Sequence, residues 1–241
     1  MDSAAAGLGS DTFSMNENNR VKFDDYADNY EQLHAANVSV TGEETGYFSE
    51  YKVDCLKRAG VDPSAPLLDF GCGIGNVTEK LVASFSDVHG YEPSALCAER
   101  ARARVPRARI YDQLEAVPKG AFQTAILSTV LHHVPPAERH SVVSEVRARL
   151  APGGRLFIFE HNPFNPLVRR AVATCPFDDD AILLWPREQK RLLRETGFED
   201  VRLDYIVFFP RALAFLRPLE PKLRRLFLGA QTMTVGRNPE R

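Results

Sequence analysis

The sequence is poor in the features that mark several protein classes. Its four cysteines, Cys55, Cys72, Cys97 and Cys175, are scattered, and none forms a C-x-x-C pair. That argues against a disulfide framework, and the want of ligand spacing argues against a zinc site, so no metal is expected; reduced thiols in a cytoplasmic protein are the economical reading. No apolar run reaches the ~20 residues needed to span a bilayer. The opening "MDSAAAGLGS" lacks the basic start and continuous apolar core of a signal peptide. Residues 1–20 read as a disordered tail. No internal repeat is present. The formal net charge is only -2, which argues neither for nor against a nucleic-acid partner. The arginines of "ERARARVPRAR" are spread around a helix and loop in the manner of a solvated face, so no nucleic acid is expected.

What is present suits one fairly large domain over 21–241, since 44% of 241 residues are hydrophobic. Helical spacing dominates 21–61. "VKFDDYADNYEQLHAAN" places Phe23, Tyr26, Tyr30 and Leu33 on one face, and a second helix runs from Tyr47 to a stop near Gly60. From Leu67 the pattern becomes strand, turn, helix, and repeats. Strands are predicted at Leu67–Phe70, up to about Glu92, at "ARIYD", "FQTAILST", "RLFIFEH" and "EDVRLDYIVFF". Helices are predicted at Asn76–Phe85, at "SALCAERARARV" with Ser94 as N-cap, at "PAERHSVVSEVRARLAPGG" and at "WPREQKRLLRETGF". Alternation of this kind means parallel βαβ units with helices on both faces. A last strand near Ala230–Gly236 follows a proline-punctuated stretch without a regular crossover, which favours an antiparallel direction.

The stretch "LLDFGCGIGNVTEK" carries the first chemical signal. Gly71, Gly73 and Gly75 stand at alternate positions between a strand and a helix, where bare backbone can approach a ligand. A dinucleotide site prefers G-x-G-x-x-G, so the third glycine is one residue early. Asp69 would also sit badly beside phosphates, which disfavours a nicotinamide-dependent dehydrogenase. It suits a cationic amine. Glu92 is placed to accept hydrogen bonds from ribose hydroxyls, and Asp112 from an adenine amino group. A ligand with an amine, a ribose, an adenine and no phosphates is S-adenosylmethionine.

The succession "LLDFGCGIGNVT", "VHGYEPS", "ARIYDQ", "AILSTVLHHVPP" and "LAPGGRLFIFEH" resembles the class I S-adenosylmethionine-dependent methyltransferases, over about Asp24 to Gly236. The resemblance implies a Rossmann-like seven-stranded sheet, mostly parallel, with an antiparallel last strand and a helical N-terminal lid over 21–61. The cofactor core would be 62–160, with a C-terminal helix and strands over 186–241. It implies that Asp69, Gly71, Cys72, Gly73, Glu92, Pro93 and Asp112 bind the cofactor, that Gln113, Ser128, Thr129 and Val130 line it, and that Tyr26 covers its methionine end.

A general base is needed only if the acceptor must lose a proton. His161, just after the fifth strand, and His133, after the fourth, are the catalytic candidates. The long connection "EHNPFNPLVRRAVATCPFDDDAILLW" reads as an acceptor-binding insertion over 161–185. Tyr30, His34, Asn162, Arg169 and Phe177 are the expected substrate contacts. Asp178–Asp180 read as helix-capping or solvated residues. The tail "FFPRALAFLRPLEPKLRRLFLGA" mixes apolar and basic residues; covering the sheet or a dimer contact is favoured over an anionic membrane. The expected activity is methyl transfer to a small molecule. The alternatives are a lipid- or sugar-linked acceptor, or a cofactor-binding partner protein without activity.

Overall fold

The computed structural model describes Glu43, residues 46–175 and residues 178–240. The expected tail and first helix lie outside these residues, as do Tyr26, Tyr30, His34 and Phe177.

Seven strands form one sheet: β1 (Leu67–Phe70), β2 (Val88–Tyr91), β3 (Arg109–Tyr111), β4 (Phe122–Ser128), β5 (Leu150–His161), β6 (Glu199–Ile206) and β7 (Gln231–Arg237). Their order is β3-β2-β1-β4-β5-β7-β6. The pairs β3–β2, β2–β1, β1–β4 and β4–β5 are parallel. Strand β7 alone runs the other way, antiparallel to β5 and to β6. The Rossmann-like α/β sheet with an antiparallel last strand is thus the observed one.

Strand parity explains why helices cover both faces, because successive side chains point to opposite sides. Leu67, Ile126, Phe157 and Phe159 pack on one face with Leu56 of α1 (Tyr47–Arg58) and Leu81 of α2 (Asn76–Val82). Leu68, Leu127, Leu156 and Ile158 pack on the other. There they meet Val142 and Val143 of α4 (Arg139–Arg149) and Leu193 of α6 (Pro186–Glu195). Two buried faces give the near-continuous apolar runs of the central strands. Helix α3 (Ala95–Arg104) begins as expected, with the Ser94 hydroxyl accepting from the Cys97 N–H. Helices α5 (Pro166–Ala173) and α7 (Glu220–Leu223) complete the set used below.

Two boundaries differ from the sequence reading. Helix α2 stops at Val82, three residues short of Phe85. Strand β5 starts at Leu150 rather than Arg155. Leu150 pairs with Phe122, and the register then jumps to Thr124 against Arg155. The "APGG" segment is therefore an irregularity inside a strand, not a helix stop. A Cβ on Gly154 would lie 2.9 Å from the carbonyl oxygens of both Ala151 and Phe122, so only glycine fits the jump. Among the described residues, no helix is long and apolar enough to cross a membrane.

Candidate active site

The sheet order reverses between β1 and β4, and a crevice opens there beyond the carboxyl ends of the strands, as in other open α/β sheets. The cavity measures about 900 Å³. That lies near the top of the ~300–1,000 Å³ range of ligand pockets, enough for two small ligands side by side.

One end is built on the glycine loop. Asp69 ends up 1% exposed, because it shares the face of Leu67, under α1 and α2. The Thr78 hydroxyl donates to its Oδ2 at 2.7 Å, while its Oδ1 is buried without a partner. Burial pushes its carboxyl up to about 6, although Thr78 and the nearby Lys52 ammonium oppose this. Lys52 of α1 is buried and donates to the Ser128 hydroxyl at 2.7 Å. Burial lowers the Lys52 ammonium to about 8, with Glu160 and Asp69 opposing the shift. Gly71 has φ +79°, and a Cβ there would meet Val130 Cγ2 at 2.7 Å. Glu92 pins the loop: its Oε2 accepts from the Gly73 N–H at 2.9 Å and its Oε1 from the Ser94 N–H at 3.0 Å. Thr129 follows β4 at φ 56°, a strained value for a β-branched residue.

The other end is ionic. Glu160, fully buried, accepts from the Leu131 N–H at 2.8 Å and lies 2.7 Å from His132 Nδ1. His132 Nε2 and His133 Nε2 each lie 3.5 Å from Asp178 Oδ1. Burial disfavours the His132 charge, but Glu160 and Asp178 outweigh it and raise the imidazole to about 9. Burial, reinforced by that charge, pushes His161 down to about 4 and His133 below its ordinary value. The His161 and His132 rings are 5.2 Å apart.

The cavity wall brings together Asp69, Gly71, Cys72, Gly73, Glu92 and Pro93 with Ser128, Thr129, Val130, His133 and His161. Other expected residues are placed elsewhere. Asp112 and Gln113 do not line it, and Asp112 is ion-paired with Arg102 at 2.9 Å. Arg169 is exposed and off the wall, while its neighbour Arg170 is on it. Asn162 is a correction: it is fully buried, and its Nδ2 donates to the carbonyls of Phe227 and Gly229 at 2.7 and 2.6 Å. Its Oδ1 accepts from the Phe164 N–H. The side chain is consumed in anchoring the loop before β7 and is not offered to a substrate. Asp178 is a second correction, since it faces two histidines instead of capping a helix or being solvated.

The comparison with family profiles is decisive. A profile described as a methyltransferase domain matches residues 46–203, well over half of the chain. The chain belongs to the class I S-adenosylmethionine-dependent methyltransferase family. A trans-aconitate 2-methyltransferase of Methylobacterium radiotolerans is 30% identical over 221 residues, covering 78% of this chain and 84% of that one. An uncharacterized methyltransferase of Synechocystis is 33% identical over 114 residues, covering 46% of this chain and 54% of that one. The chain spans about half the length of the first curated relatives it matches. A crystal structure of a SAM-dependent methyltransferase from Thermotoga maritima superposes with TM-score 0.65 at 19% identity, covering 91% of this chain and 99% of that one.

The residues present fit the cofactor of this methyltransferase family. An orphaned, buried carboxylate oxygen on Asp69 suits an ammonium group, and the adjacent Lys52 suits a carboxylate. Together they would suit the two charges of an amino-acid zwitterion. Glu92 lines the cavity and is an acceptor-only carboxylate, the type of group that suits ribose hydroxyls. Nothing lies within 4 Å of a Cβ built on Gly73, so the backbone there is open to a ligand. Lys52 is the cofactor-end residue that sequence reasoning missed. The signal was available: Ser49, Lys52, Val53 and Leu56 follow one helical face, and all four are buried.

Proposed function

We propose that the chain is an S-adenosylmethionine-dependent methyltransferase enzyme acting on a small-molecule acceptor, which binds between His161 and α5. One observation carries this reading. A single cavity runs from the Asp69–Lys52 pair to His161 and on to Asn165, Leu167, Val168 and Arg170, at and within α5. Bound at the first end, the cofactor would supply an activated methyl on a sulfonium for an acceptor lone pair. The chain's own work is alignment, exclusion of water and removal of a proton. Asp69, Lys52 and Glu92 hold the cofactor's polar groups. The apolar wall from Tyr47, Phe48 and Val207 keeps water out. His161 takes the proton of an acceptor that carries one, with His133 as the second candidate. The insertion after β5 binds the acceptor, as its position on the wall supports. A curated relative named for a small polycarboxylate supports the small-molecule class. The four free cysteines support a cytoplasmic site of action.

One observation favours a second reading. Phe215 is 75% exposed, with Phe227 and Leu228 also exposed, in the segment that ends beside the cavity. Such a surface suits a lipid-linked acceptor. Incubating the full chain with methyl-labelled cofactor and a fractionated cell extract separates the readings. Label in the small polar fraction is expected. Label in the lipid fraction establishes the second reading. Binding of S-adenosylhomocysteine with no label transferred leaves a cofactor-binding partner protein.

A further inference from the structure

We infer that His132, His133 and Asp178 form a binding site for a divalent transition-metal ion of the zinc type, at the acceptor end of the cavity. The donor atoms of these three side chains all lie within 4.8 Å of one another. Each histidine Nε2 is 3.5 Å from the same oxygen, Asp178 Oδ1. That spacing is long for a hydrogen bond. It is close to the ~3.4 Å separating neighbouring ligands that each stand ~2.1 Å from a tetrahedral metal.

The other ring nitrogens strengthen the assignment. His132 Nδ1 faces Glu160 Oε2 at 2.7 Å, and His133 Nδ1 faces Asp180 Oδ1 at 3.4 Å. A carboxylate on the far nitrogen is how ligating histidines are oriented, with Nε2 turned to the metal.

The surrounding structure fixes both halves of the site relative to each other. Arg139, 2% exposed, donates from Nε to the carbonyls of Leu131 and Val134, which bracket the two histidines. Its Nη2 donates to the Ile182 carbonyl, and the Ile182 N–H donates to the His132 carbonyl at 2.8 Å. The histidine loop is thereby tied to the segment carrying Asp178, so the donors are held before any ion arrives. Two imidazoles and one carboxylate suit zinc, cobalt or iron, and suit magnesium or calcium poorly. Three protein donors leave a position open, and all three residues line the cavity. A hydroxyl or carboxylate oxygen of the acceptor fits that position, where the cation orients it and makes a hydroxyl easier to deprotonate. This last role rests on the methyl-transfer reading above; the metal site itself does not. The expectation that no metal binds rested on the want of ligand spacing along the sequence, whereas these three donors meet only in the fold.

The test uses the full chain after chelator treatment and dialysis. Calorimetric titration with ZnCl₂ is expected to show one ion per chain, and CoCl₂ to develop visible absorption bands. His133→Ala and Asp178→Asn are expected to weaken zinc about tenfold or more, and Asp180→Asn to weaken it less. S-adenosylhomocysteine affinity, measured alongside, shows that each variant is folded. No saturable zinc binding by the folded chain overturns the site. So does zinc affinity that is unchanged in both His133→Ala and Asp178→Asn. If zinc binds with the expected dependence and no acceptor is ever methylated, the site stands and the enzymatic reading falls.

Discussion

The two ends of the cavity are built by different means. At the cofactor end, Asp69, the glycines and Thr78 fall within ten consecutive residues, and Glu92 closes the loop through backbone N–H groups. At the acceptor end, the decisive contacts join residues far apart in sequence: His132 with Glu160, His133 with Asp178 and Asp180, and Arg139 with Ile182. The first end follows largely from local geometry, Lys52 with its reach to Ser128 being the exception. The second exists only once β4, β5 and the insertion have been packed side by side. A motif can therefore declare the cofactor while leaving the acceptor unstated.

That contrast can be sharpened by perturbing each end and reading both binding and rate. The largest effect is expected from His161→Ala, which should slow methyl transfer about 100-fold with S-adenosylhomocysteine affinity nearly intact. An unchanged rate removes His161 as the proton acceptor. Next, Asp69→Ala, Glu92→Ala and Gly71→Ala should each weaken S-adenosylhomocysteine about tenfold or more, as calorimetry would show. The first two lose charge-assisted hydrogen bonds, and the third drives a methyl into Val130. Unchanged affinity in both acidic-residue variants would remove the cofactor from this end.

The pH response is the next largest. A carboxyl raised to about 6 is protonated below that pH and cannot pair with an ammonium. Affinity for S-adenosylhomocysteine should fall as pH drops below about 6, by at most about tenfold per unit, and level off above it. Asp69→Asn should flatten the profile. The linked stability of the ligand-free chain runs the opposite way. A raised carboxyl favours the folded, ligand-free chain while protonated, below its ordinary value of 3.8, and that advantage is lost as pH rises through about 6.

Two smaller effects test the corrections. Asn162→Ala should cost about 2 kcal/mol of stability in a urea titration, by removing the donor to the Phe227 and Gly229 carbonyls, without altering the rate of the folded enzyme. Arg169→Ala should change rate and affinity by no more than about twofold, in keeping with an exposed side chain.

How much of this was legible beforehand follows the same division. The strand–turn–helix succession, the Ser94 cap and the direction of β7 were readable, because each depends on neighbours a few residues away. The bulge at Gly153–Gly154 was not, since "P-G-G" stops a helix or kinks a strand equally well until the partner strand is known. Lys52 was readable from its place on the face of Ser49, Val53 and Leu56, but a lysine on an apolar face is easily passed over until the sheet beneath α1 shows it buried. Asn162 misled for a physical reason. A polar residue at the active edge can serve the ligand or the backbone, and the carbonyls it satisfies are 65 and 67 residues away.

The insertion of β7 between β5 and β6 has a consequence for biosynthesis. Until Gln231–Arg237 is in place, β5 and β6 each present an unpaired edge, and no strand pairing holds Glu199–Ile206 to the rest of the sheet. A chain stalled or clipped before Gln231 would carry two sticky edges and recruit other copies instead of maturing. Strand β7 is thus the keystone of the sheet, the element through which β6 is joined to β5.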